Sequence, residues 1–143
     1  NRFYPEHLGE VFCDVYEDVY NQRKSYGKNT PENAVLKLAL NGTYGESNNE
    51  YSCFYDPKYT MTTCINGQLS LSLLVDMWFR SELDFSLIMA NTDGVTIKVN
   101  RKQIELMEQI AQEWQDKLKL VLERVDYSKM CIRDVNNYIG VYK

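Results

Sequence analysis

Apolar positions after Pro5 recur at Leu8, Val11, Phe12, Val15 and Val19, the spacing of one helix face. Tyr16, Tyr20 and Arg23 share another face of the same helix. Pro5 suits a first helical position, and Gly27 ends the run. Thr30 then offers an N-cap and Pro31 the first position of a second helix, which runs to about Tyr44 with Val35, Leu38 and Ala39 as its apolar stripe. The link KNT is short, so the two helices are expected to fold back as an antiparallel hairpin.

The pattern changes after Asn48-Asn49, which marks a turn. YSCFY reads as a strand broken by Asp56-Pro57, and Tyr59 to Cys64 as extended or irregular. From Ile65 to about Leu83 the period is again helical, with Leu69, Leu73, Val75 and Trp78 near one side. FSLIMA, the tight turn NTDG and VTIKV form a hairpin signal. Arg101 to about Lys117 is amphipathic, with Ile104, Met107, Ile110, Ala111, Trp114 and Leu118 repeating helically. LKLVLERV, KMCIRD and YIGVY, split by Asn136-Asn137, read as strands of one sheet. The predicted class is α+β: a helical hairpin over residues 1–46, then a mixed or antiparallel sheet with two long helices over residues 47–143.

Composition narrows what such a domain does. The 143 residues are 44% hydrophobic and 25% charged, as in ordinary globular proteins. A net charge of −4 gives no bulk electrostatic footprint for nucleic acid, so any polyanion site must be local. No apolar run approaches the ~20 residues that span a bilayer, and the N-terminus lacks a signal-peptide pattern. No membrane partner is expected. Cys13, Cys53, Cys64 and Cys131 form no Cys-x-x-Cys pair, and His7 is the only histidine, which argues against zinc. Reduced thiols in a cytoplasmic protein are the expectation. The chain opens on Asn1 and enters a helical pattern at once, which reads as a piece of a longer protein.

Two short stretches carry candidate chemistry. In KLALNGTYGE, Lys37, Asn41 and Tyr44 stand four and three residues apart, on one helix face. A lysine suits phosphate oxygens, an amide both donates and accepts, and a tyrosine ring stacks on a base or sugar. Gly45 admits a close backbone approach or ends the helix at positive φ. Arg23 on the partner helix adds a second cation if the two faces meet. The same residues are also ordinary on a solvated helix face. In NTDG, an Asp-Gly pair is sound hairpin chemistry with no function. Held at a hairpin tip, however, Asp93 exposes a carboxylate of the kind that Mg²⁺ takes beside substrate phosphates. Two-metal chemistry needs a further acid, for which Asp84 and Asp56 qualify by sign only.

Taken in order, a basic helical hairpin, K-x-x-x-N-x-x-Y-G and an apolar hairpin with Thr-Asp at its tip resemble the fingers and palm of a family B DNA polymerase. Lys37, Asn41, Tyr44 and Gly45 match that family's motif B, K-x-x-x-N-S-x-Y-G, and Thr92-Asp93 match the D-T-D of motif C. The stretch YSCFYDPKYTMTTCINGQLSL, including Tyr55-Asp56 and Gly67-Gln68, and the NQRK of Asn21 to Lys24 are similar to the phage-type branch. The resemblance covers most of the chain and weakens after about Asn100.

It implies a DNA-directed DNA polymerase that adds deoxynucleoside triphosphates to a primer 3′-hydroxyl, acting on a DNA primer-template with Mg²⁺ as cofactor. Lys37 and Arg23 would neutralise the triphosphate, and Asn41 would hydrogen-bond it. Tyr44 would pack near the nascent base pair, Gly45 would admit the template base, and Asp93 would be the catalytic, metal-binding acid. If phage-encoded, such an enzyme works in the host cytoplasm. Three departures stand out. Gly42 replaces the motif B serine, which lowers helix propensity by up to ~1 kcal/mol. Asn91 replaces the first motif C aspartate. Asn136 stands where a lysine precedes a tyrosine matched by Tyr138. Motif A, the thumb and an exonuclease domain are not in these residues, so the remaining palm, thumb and exonuclease parts of the polymerase are expected partners, and the piece alone is expected to be inactive. Two alternatives stay open: a nucleotide- or DNA-binding module of polymerase ancestry without catalysis, and a plain structural α+β domain.

Overall fold

The computed structural model describes residues 2–143. It is a mixed α+β fold with four α-helices and two small antiparallel sheets: α1 (Val11–Ser25), α2 (Pro31–Glu46), α3 (Pro57–Arg80), β1 (Phe85–Ala90), β2 (Val95–Val99), α4 (Ile104–Leu118), β3 (Tyr127–Asp134) and β4 (Asn137–Tyr142). The chain divides into two compact units, Asn1–Ile65 and Asn66–Lys143, with the division inside α3. No helix among the described residues is long and apolar enough to cross a membrane.

In the first unit, α1 starts later than its pattern predicts. Glu6–Leu8 form a single 3₁₀ turn, and Gly9 at φ 65° breaks it from α1. α2 begins as predicted: Thr30 Oγ1 accepts the Asn33 N–H at 3.3 Å, and Pro31 follows. The inward face of α2 is not the predicted one. Val35 and Leu38 are 66% and 73% exposed, and Ala39 is also exposed. The buried row is Asn33, Leu40 and Ser47, with Leu36 and Tyr44 half-buried between them. Val11 and Val15 of α1 likewise face out, while Phe12, Tyr16, Val19 and Arg23 are half-buried.

Aromatic rings, not aliphatic stripes, make this packing. Phe12 meets Tyr16, Phe54 and Tyr59 at ring centroid distances of 5.9, 6.2 and 5.9 Å, and Tyr59 meets Tyr44 edge-on at 6.3 Å. The helices run antiparallel as expected, with Tyr16 Oη donating to the Leu40 carbonyl at 3.3 Å and Arg23 opposite Asn33.

Residues 51–55 are turns, not the predicted strand. Short polar side chains satisfy their backbone locally: Asn49 Oδ1 accepts from Tyr51 N and Ser52 Oγ from Phe54 N. The Cys53 carbonyl is 2.8 Å from His7 Nε2. The predicted irregular segment 59–64 is the start of α3. Asp56 caps it, its Oδ1 accepting from Tyr59 N at 3.0 Å and its carbonyl from Thr60 N at 3.1 Å, with Pro57 first in the helix. Thr60 and Thr63 return their hydroxyls to the carbonyls four residues back, which lets β-branched residues sit in a helix.

The second unit holds the aliphatic core. Leu74 and Trp78 of α3, Leu83, and Ile110 and Trp114 of α4 are buried together, with Phe85, Val95, Ile97 and Val99 of the β1–β2 hairpin packed on them. Leu69 and Leu73, predicted inward, face out. Trp114 Nε1 donates to the Ser70 carbonyl at 2.7 Å and ties α4 to α3. β1 pairs with β2 antiparallel, and a bulge between Leu87 and Met89 shifts the register so that Ala90 faces Val95.

Two expectations for the C-terminal part need correction. LKLVLERV forms no strand: Lys119 takes a left-handed conformation (φ 57°) that stops α4, Gln115 Oε1 accepts the Leu122 N–H, and Arg124 bridges Glu108 and Asp126. β3 and β4 do pair, but as a separate two-stranded sheet and not as part of one sheet with β1 and β2.

Candidate functional site

The first candidate group lies on the helical hairpin. Lys37 and Asn41 are exposed on α2, and neither side chain has a hydrogen-bond or ion-pair partner among the described residues. Arg23 is half-buried at the level of Asn33, one helical turn from Lys37 along α2, and its Nε donates to Asn33 Oδ1 at 3.3 Å. Gly45 lies inside α2 at an ordinary helical φ, so it neither stops the helix nor serves a left-handed turn. Within 4 Å of where a Cβ would project there is nothing, and the same holds for Gly42.

Tyr44 is the member of this group with the most contacts. Its ring is half-buried against Tyr59. Its hydroxyl lies 2.9 Å from Cys64 Sγ and 3.4 Å from the Thr60 carbonyl. The Cys64 hydrogen bond and then burial push its phenol up to about 12. The stripe therefore splits in two. Lys37 and Asn41 are free to meet a ligand, and Tyr44 is held by the start of α3.

Asn33 holds the hairpin itself. It is 6% exposed, donates from Nδ2 to the Arg23 and Tyr26 carbonyls at 3.0 and 3.1 Å, and accepts from Arg23 Nε. In this way it caps the C-terminal end of α1 from the first turn of α2. Sequence reasoning missed it, together with Ser47, Thr60 and Cys64. The available signal was the spacing of Asn33, Leu36, Leu40, Tyr44 and Ser47, which is helical once small polar residues count as inward.

The second candidate group is the β1–β2 turn. Asp93 is exposed at its tip, and its carboxylate has no partner among the described residues. The turn is not the two-residue Asp-Gly loop that the sequence suggests, since neither residue adopts positive φ. Asn91 N donates to the Gly94 carbonyl at 3.0 Å, and Asn91 Oδ1 accepts from Asp93 N and Gly94 N at 3.0 and 2.8 Å. The side-chain amide thus supplies the acceptor that closes the turn, and Thr92-Asp93 become its tip. Beside it opens a cavity of about 460 Å³ lined by Leu71, Val75, Leu87, Val95, Gln68 and Thr92 among others.

Asp56 is committed to the Glu6 and Tyr59 N–H groups, which hold its carboxyl below the usual carboxylate range. Among the described residues no group of three or more Asp, Glu, His or Cys side chains could hold a metal. A lone exposed carboxylate such as that of Asp93 would supply one ligand to a hard cation that takes its others from phosphate oxygens and waters, and no closed metal site forms among the described residues. All four cysteines are free thiols.

Comparison of the chain with protein-family models, curated proteins and solved structures finds no match.

Proposed function

We propose that this chain is the fingers and part of the palm of a family B DNA polymerase, adding deoxynucleoside triphosphates to a primer 3′-hydroxyl on a DNA template. The observation that carries the reading is the state of the motif B residues. Lys37 and Asn41 stand solvent-open and unpartnered beside Tyr44, on a helix whose Gly45 has open space where a side chain would project. A solvated helix face explains an exposed lysine. It does not explain the helix glycine at position 45, with open space where a Cβ would project and a cost of up to ~1 kcal/mol relative to alanine. A bound partner that needs close approach does.

In this reading Lys37 supplies a point charge to the triphosphate, and Arg23 adds a second through the guanidinium nitrogens that Asn33 leaves over. Asn41 fixes the orientation of the phosphates by hydrogen bonding. Tyr44 offers its ring edge to the nascent base pair, and Gly45 leaves room for the template base. Asp93 would be the side chain that holds a Mg²⁺ ion, which when bound would offset phosphate charge. These residues act by position and charge, with no side chain needed as a nucleophile.

Two departures favour the second reading, a nucleotide- or DNA-binding module without catalysis: Gly42, where the family has serine, and Asn91. Asn91, where the family has aspartate, spends its side-chain oxygen on closing its own turn. The two readings separate in the full-length polypeptide encoded by the gene that carries this chain. Lys37→Ala and Asn41→Ala are expected to raise the KM for deoxynucleoside triphosphates in primer extension. Nucleotide binding that depends on Lys37 without any extension selects the binding module, and no nucleotide dependence at all rejects both.

A further inference from the structure

The contacts of Tyr44 extend the proposed function, on which this inference rests. Where a nucleotide-facing tyrosine stands depends on what its hydroxyl and ring are fastened to. Here the fastening comes from one place, the first two turns of α3. Cys64 Sγ and the Thr60 carbonyl meet the Tyr44 hydroxyl at 2.9 and 3.4 Å. The Tyr59 ring, from the same turns, meets the Tyr44 ring edge-on at 69°. One turn past Tyr44, Ser47 is fully buried, and its Oγ is 2.7 Å from Thr60 Oγ1 while it donates to the Tyr44 carbonyl. Ring and hydroxyl of Tyr44 are thus tied to α3 directly and its carbonyl through Ser47, and Asp56 caps that helix four residues before Thr60.

We propose that Cys64 and Thr60, with Ser47, are positioning residues for Tyr44, so that the start of α3 sets how tightly the incoming nucleotide and its base pair are checked. The seat is selective in composition. A thiol opposite the phenol makes a weak hydrogen bond that still keeps the ring in one place. Cys64 is exposed, so it is open to substitution without disturbing a core. Ser47 has no such latitude, because burial makes any larger residue clash.

The test is primer extension by the full-length polypeptide, with KM and kcat measured for correct and mismatched nucleotides. Tyr44→Phe and Cys64→Ala are each expected to raise the KM for the correct nucleotide by roughly 2- to 10-fold, the range of one net hydrogen bond, with a smaller change in kcat. The double variant should be no worse than Tyr44→Phe alone, because both changes break the same bond. Cys64→Ser should restore most of the loss, since a hydroxyl replaces the thiol.

If Tyr44→Phe raises KM and Cys64→Ala does not, or if the two effects add, the positioning role is overturned while the nucleotide-facing role of Tyr44 stands. If Tyr44→Phe and Tyr44→Ala both leave KM and mismatch discrimination unchanged, Tyr44 does not face the nucleotide and the inference falls with it.

Discussion

Asn33→Ala tests how the hairpin that carries Arg23 and Lys37 is held together. The substitution removes the two donated bonds from Nδ2 to the Arg23 and Tyr26 carbonyls, and the acceptor of Arg23 Nε. Asn33 is buried, so the Tyr26 carbonyl loses its capping donor and the Arg23 carbonyl keeps only the Tyr26 N–H, in a place that water reaches poorly. At about 0.5–1.5 kcal/mol for each net hydrogen bond, losing the two donated bonds costs about 1–3 kcal/mol. The Thr30 cap is untouched, because it uses the Asn33 backbone N–H. The loss should therefore appear as local opening of α1 against α2, not as general unfolding.

Amide hydrogen exchange is the assay. At 1.4 kcal/mol for each factor of ten, protection in α1 and the first turns of α2 should fall by roughly 5- to 150-fold. Protection in α4 should stay as it was. Asn33→Asp keeps an acceptor for Arg23 but turns two donors into repulsion, and it should lose at least as much. Unchanged protection in α1, or an equal loss in α1 and α4, would refute the clasp.

Asp56→Asn probes acid stability. Backbone N–H bonds from Glu6 and then Tyr59 depress the Asp56 carboxyl, so its contribution is complete above the unfolded value of about 3.9 and is lost as pH falls through the lower folded value. In thermal melts the wild type should exceed Asp56→Asn near neutral pH, with the gap closing below about pH 4; a gap independent of pH would contradict this. Gly140→Ala places a Cβ 2.6 Å from Cδ1 and Cε1 of Tyr127, whose ring is stacked on Tyr142. The ring must move, and the β3–β4 hairpin should lose about 1–3 kcal/mol, visible as faster exchange across β3 and β4 and relieved by Tyr127→Val.

The elements that the sequence predicts well are those whose apolar residues meet a single aliphatic layer. α4 repeats Ile104, Met107, Ile110, Ala111, Trp114 and Leu118, and all six are buried or half-buried, joined by Leu106 and Gln115. β1 and β2 follow from FSLIMA and VTIKV, and α2 from Thr30-Pro31. Where periodicity misleads, polar and aromatic residues do the packing. The inward row of α2 contains Asn33 and Ser47, which a hydrophobic count places outside, while Val35 and Leu38 are left on the surface. YSCFY has strand composition but no strand to pair with, and its Ser and Asn neighbours satisfy the backbone in turns. The candidate site was legible as residues and not as contacts. Lys37, Asn41 and Asp93 are as exposed as expected, whereas the fastening of Tyr44 by Cys64 joins residues twenty apart in the chain, which no local pattern encodes.

The proposed function makes Asp93, at the β1–β2 tip, the metal-holding acid of a polymerase. Primer extension by the full-length polypeptide tests it most directly, comparing wild type with Asp93→Ala and Asn91→Asp at varied Mg²⁺. Asp93→Ala should abolish extension while leaving the turn intact, because the turn uses the Asp93 backbone N–H and not its carboxylate. Asn91→Asp keeps the acceptor that closes the turn and should lower the Mg²⁺ needed for half-maximal extension. Extension by Asp93→Ala at the wild-type rate would contradict the assignment.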